Sequence, residues 1–102
     1  MMIENDRLDK LLTALSKKKK TLYRDFGVID LAVFGSYAKN EQKRESDVDI
    51  FVQLKQESKT FDNFMALRFY LEEMVGRKVD LLTKESIREE LQPKIFKEAV
   101  HV

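Results

Sequence analysis

The stretch GSYAKNEQKRESDVDIFV, residues 35–52, decides the fold. Its opening glycine ends an apolar, β-branched run, VIDLAVF at 28–34, which is too short for a stable helix and reads as a largely buried strand. Its closing residues belong to DVDIFVQL at 47–54, where Asp47, Asp49 and Phe51 alternate with Val48, Ile50, Val52 and Leu54. That period of two predicts a second strand with an apolar face and a face bearing two carboxylates. Residues 36–46 form a polar connection, and the chain leaving the first strand turns into a polar, helical segment.

Working outward, apolar residues at Leu8, Leu11, Leu12, Leu15, Leu22 and Phe26 predict a helix over 6–26, stopped by Gly27. A second helix over 61–75 carries Phe61, Phe64, Met65, Leu67, Leu71, Met74 and Val75, with Gly76 as its stop. Phe61, Phe64 and Phe69 read as core, Phe69 lying off the main stripe. KVDLLT at 78–83 is a third strand, 85–91 a short helix, and Pro93 opens a last helix running through residue 100. The expectation is an α/β (α+β) fold in αβαβαα order: one domain over 1–102, with a short mixed sheet of about three strands packed with helices.

Composition narrows the chemistry. With 102 residues and 43% hydrophobic content, the chain supports one core. Its 19 basic and 18 acidic side chains sum to +1, so no global field favours polyanions or membranes, no strong nucleic-acid binding is expected, and phosphate chemistry must be local. The lysines at 17–20 span a full helical turn and read as solvated surface, with Lys18 and Lys19 snorkelling beside the apolar stripe. There is no cysteine for a disulfide, thiol nucleophile or thiolate site. The charged start lacks a signal peptide's apolar run, and no stretch approaches the roughly 20 apolar residues of a membrane helix. A cytoplasmic protein is expected.

Asp47 and Asp49 leave the same strand face from backbone positions about 7 Å apart. Two like charges so close repel unless water, a proton or a cation relieves them, and Mg²⁺ commonly takes one or two carboxylates plus substrate phosphates. Asp80 interrupts the apolar third strand and converges on them if that strand lies beside the second. Gly35 and Ser36 open the connection with free backbone N–H groups and a hydroxyl, which are donors for a phosphate. Taken singly, each feature has an ordinary explanation as a solvated strand face, a turn or a polar strand edge. Together they are the parts that nucleotidyl transfer needs.

At this point GSYAKNEQKRESDVDIFV resembles the Gly-Ser, spacer, Ser-Asp-x-Asp signature of the DNA polymerase β-type nucleotidyltransferase superfamily, in particular its minimal nucleotidyltransferases. The resemblance implies that Gly35 and Ser36 contact phosphate, and that Asp47, Asp49 and Asp80 bind two Mg²⁺ ions, with Asp80 accepting the proton of the attacking hydroxyl. It implies nucleotide contacts at Lys39 and Ser46. Asn40 stands where the family has glycine, and asparagine tolerates the left-handed turn better than most residues. Larger members append domains that grip the acceptor; the predicted elements here fill the sequence, so a partner protein is expected to bring it. The resemblance extends to antitoxins that transfer AMP from ATP to a tyrosine of a HEPN ribonuclease toxin, implying a protein adenylyltransferase and a hetero-oligomer. The alternatives are a non-catalytic antitoxin or binding module acting by occlusion, and transfer to a small molecule or an RNA end. His101, Lys43 and Arg44 read as solvent-facing.

Overall fold

The computed structural model describes residues 4–39, 41, 43 and 47–102. Its first helical stretch is two helices, α1 (Glu4–Lys17) and α2 (Lys19–Phe26), where one was expected. The break falls at Lys18, in the run from Ser16 to Thr21 that has no apolar side chain to hold a turn against the core. There the backbone tightens, Lys18 N–H donating to Leu15 O at 3.1 Å. Leu11, Leu15 and Leu22 keep the apolar stripe buried across the break.

Gly27 ends α2 in the left-handed region (φ 72°), and a Cβ there would lie 2.0 Å from Ser58 Oγ. The chain then enters β1 (Val28–Phe34), makes one helical turn, α3 (Gly35–Ala38), and returns as β2 (Val48–Leu54). Helix α4 (Phe61–Val75) crosses over to β3 (Val79–Thr83). The predicted helix over 85–91 is instead a pair of 3₁₀ turns, Lys84–Ser86 and Glu89–Leu91, separated by the extended Ile87. Helix α5 (Gln92–Glu98) stops short of residue 100, and Val100–His101 forms β4.

The mixed sheet therefore has four strands, in the order β3-β2-β1-β4. β1 is antiparallel to β2 and β4, and β2 is parallel to β3, as a helical crossover requires. One face packs on α1, α2 and α4 through Leu15, Leu22, Val33, Ile50, Val52, Leu67 and Leu71. The other face carries a smaller apolar layer, Ala32, Phe51 and Ile87, closed by Phe34, Leu82, Ile95, Phe96 and Ala99. Phe61 and Phe69, read from sequence as core, are 75% and 59% exposed, while Phe64 packs against the larger core as expected. Among the described residues no helix is long and apolar enough to cross a membrane.

Asn63 fastens α4 to the rest. Its side-chain amide donates to Phe26 O (2.9 Å) and Ser58 O (3.0 Å), while its backbone N–H is capped by Thr60 Oγ1 (3.1 Å). Asn63→Ala strands two part-buried carbonyls and is expected to cost about 1–2 kcal/mol, read as a lower urea midpoint at unchanged slope.

Candidate active site

The register of the sheet gathers the predicted residues at one end. Phe34, the last residue of β1, pairs with Asp49 of β2, and Asp49 pairs with Asp80 of β3. Since paired residues share a face, Asp49 and Asp80 stand side by side on the face that bears Phe34 and Phe51. Asp47 lies one step before β2, and strand alternation puts it on that face too. Asp47 and Asp80 are exposed, whereas Asp49 is half-buried between them and the end of β1.

Gly35 makes room for Asp49. It adopts φ 72°, and a Cβ built on it would lie 2.0 Å from Asp49 Oδ2. The carboxylate thus rests directly against the backbone of the turn that starts α3. Ser36 follows in the first turn of that helix, with its carbonyl taken by the Glu41 N–H at 2.8 Å. Lys39 caps α3 and directs its ammonium to Glu98 of α5, 3.5 Å away, an exposed pair that competes with any nucleotide contact there. Ser46, Asn40 and Arg44 lie outside the described residues.

Charge is crowded at this point. The Asp49 carboxyl is pushed up to about 6, first by burial, then by the neighbouring charges of Asp80 and Asp47. Among the described residues no three His, Cys, Asp or Glu side chains are already drawn together as a metal-holding group. The donor set nevertheless suits a hard divalent cation: carboxylates only, at adjacent register positions, with repulsion that such an ion relieves.

Two residues that sequence reading missed hold Asp80 in place. Val79 N–H donates to Glu72 Oε2 (3.0 Å), and Arg68 Nε lies 3.5 Å from the same oxygen. Val48 N–H donates to Lys78 O at 2.9 Å, fixing the register from the other side. The available signal was the Arg68–Glu72 spacing of four on a helix that ends just before the strand. His101 belongs elsewhere: its ring pairs with Asp30 at 3.1 Å, away from the Gly35 end of β1.

The match to known proteins is broad. Residues 8–102 fit the nucleotidyltransferase domain family. The protein adenylyltransferase MntA of Thermococcus cleftensis is 38% identical over 101 residues, covering 99% of this chain and 98% of that one. A solved chain assigned as a minimal nucleotidyltransferase superposes with TM-score 0.73 at 26% identity, over 88% of this chain and 93% of that chain. A chain of a toxin–antitoxin complex crystallised with AMP-PNP gives 0.66 at 25% identity, over 83% and 69% of the respective chains.

A pH-dependent stability follows from Asp49. Its carboxyl titrates near 3.8 when unfolded and about 6 when folded, so protonation favours the fold. The stabilising contribution is complete below the unfolded value and is lost as pH rises through the folded one. In divalent-free buffer Asp49→Asn, always neutral, is expected to melt higher than the unsubstituted protein at pH 7.5 and to lose that advantage by about pH 4. Gly35→Ala is expected to cost about 1–2 kcal/mol from the left-handed backbone alone, plus the collision with Asp49. Adding Asp49→Ala should recover the collision part, which a double-mutant cycle in urea measures.

Proposed function

The chain belongs to the nucleotidyltransferase domain family, and on that footing we propose that it transfers AMP from ATP to a tyrosine hydroxyl of a HEPN-type ribonuclease toxin, as that toxin's antitoxin. The observation that carries the reading is the register Phe34–Asp49–Asp80, with Gly35 against the Asp49 carboxylate. The candidate phosphate donors just past the end of β1 thus lie beside a crowded carboxylate on β2 and a candidate base on β3. The adenylyltransferase relative and the toxin–antitoxin chain crystallised with AMP-PNP support the nucleotide and the kind of partner.

In this reading the backbone N–H groups and hydroxyl of the Gly35-Ser36 turn hold the triphosphate, and Lys39 and Ser46 contribute on the same side. Asp47, Asp49 and Asp80 are the residues that would hold two Mg²⁺ ions, which when bound supply Lewis-acid stabilisation of the transferring phosphoryl group. Asp80 takes the proton of the attacking hydroxyl. The hydroxyl oxygen forms a bond to the α-phosphorus, the bond to the bridging oxygen breaks, and pyrophosphate leaves with the electron pair. A cytoplasmic setting, where ATP, Mg²⁺ and reduced surroundings coincide, suits a chain without cysteine.

Intact-mass spectrometry of the toxin after incubation with this protein, Mg²⁺ and each nucleoside triphosphate is the test. Mass is expected to rise in AMP steps with ATP, and to stay unchanged when Mg²⁺ is chelated or when the Asp47→Asn/Asp49→Asn variant is used. Transfer by that variant would overturn the assignment of the carboxylates. Full neutralisation of the toxin with no added mass would put simple occlusion in its place.

A further inference from the structure

We propose that the outer side of α4, beside the outer edge of β3, is the surface that docks the acceptor protein, through Phe61, Met65, Arg68 and Phe69; the proposal rests on the transferase reading above. In an in-line displacement the attacking oxygen and the leaving group lie on opposite sides of the phosphorus. The strand order β1-β2-β3 sets that direction. The Gly35-Ser36 turn, at the end of β1, is on one side of Asp49, and Asp80 is on the other. Pyrophosphate therefore departs on the β1 side, and the hydroxyl arrives from β3.

That approach is shaped to receive a side chain. A cleft of about 390 Å³ is lined by Asp47 and Asp80, and also by Phe64, Met65 and Arg68 of α4. Asp80 is on the face opposite α4, so a cleft touching both wraps around the outer edge of β3. Among the described residues no strand pairs with that edge. Val79, whose outward N–H is already taken by Glu72, keeps the edge from being a bare template.

The helix face on either side of Met65, which lines the cleft, holds two residues that the core does not use. Phe61 and Phe69 stand exposed on α4, and the Arg68 guanidinium lies 5.8 Å from the centre of the Phe69 ring. Arg68 and Lys78 give the cleft a cationic margin next to its acidic floor. Exposed aromatics with an arginine among them are the composition of a protein-binding hot spot. The occupant that fits is a partner segment with apolar and acidic side chains flanking an aromatic hydroxyl, the ring lying against Phe64 and Met65 and the oxygen reaching Asp80.

The test measures affinity for the HEPN toxin and for AMP-PNP with Mg²⁺, in parallel, for Phe61→Ser/Phe69→Ser and for Met65→Ser. The exposed phenylalanines can be replaced without opening the core, so the first variant keeps the test valid if the second folds poorly. The toxin dissociation constant is expected to rise at least tenfold in each folded variant, with AMP-PNP affinity unchanged within twofold. Unchanged toxin affinity, or a matching loss of AMP-PNP affinity, overturns the surface. The mass of the toxin separates this from the transfer reading. An unsubstituted protein that binds through α4 but adds no mass overturns transfer and leaves the surface standing. One that transfers while the α4 variants bind fully overturns the surface alone, and the lack of any complex overturns both.

Discussion

The absence of a side chain at residue 35 is the constraint on which the arrangement of the carboxylates depends. Asp49 is the middle carboxylate on the strand that joins the other two, and its oxygen occupies space that any Cβ at position 35 would claim. Because Gly35 also turns the chain from β1 into α3 at φ 72°, one residue sets both the exit angle of the turn and the depth of the acid. Burial then acts on the charge: desolvation is the largest influence raising the Asp49 carboxyl, ahead of Asp80 and Asp47. A like-charged cluster on a solvated strand would be commonplace. The same cluster pressed against backbone is a store of unfavourable electrostatics that a cation can relieve.

Around that point the fold serves to fix register. A one-residue slip of β2 against either neighbour would turn Asp49 to the helical face and bring Ile50 out beside Asp80. Such a slip is opposed on one side by Val33 and Ile50, fully buried and paired, and on the other by the Glu72 and Lys78 contacts at the start of β3. Packing and the placement of the carboxylates are thus the same problem here, solved by alternation along a seven-residue strand.

Much of this was legible in the sequence because it is periodic. The alternation of 47–54 separated the acidic from the apolar face before any coordinate, and the interruption of an apolar strand by Asp80 marked the third carboxylate. What the sequence concealed is aperiodic. β4 has two residues, too few for any pattern, and it follows directly on a helix whose composition gave no reason to stop at Glu98. The break at Lys18 falls in the gap in the apolar stripe between Leu15 and Leu22, a spacing that keeps Leu22 in phase with the stripe and so reads as one helix. Helical spacing points Phe61 inward and residue type alone points Phe69 inward, yet α4 has Leu67 and Leu71 to fill its buried side, and the two rings are left facing water. The Gly35–Asp49 contact was out of reach for a different reason: glycine signals a turn, and nothing in a sequence says which distant side chain will use the space.

The two apolar layers are unequal, and this has a consequence for motion. The face under α1, α2 and α4 holds most of the buried side chains, whereas the opposite layer has Ala32, Phe51 and Ile87 at its centre and is closed by α5 and the two residues of β4. Few buried contacts tie down this C-terminal unit, so its opening requires far less free energy than unfolding of the whole chain. Each opening lifts the cover from Phe51 and releases Lys39 from Glu98 while the strands bearing Asp49 and Asp80 stay paired. The chain therefore divides into a firm β1–β2–β3 body, in which the acidic site is rooted, and a looser carboxyl-terminal flap that covers Phe51.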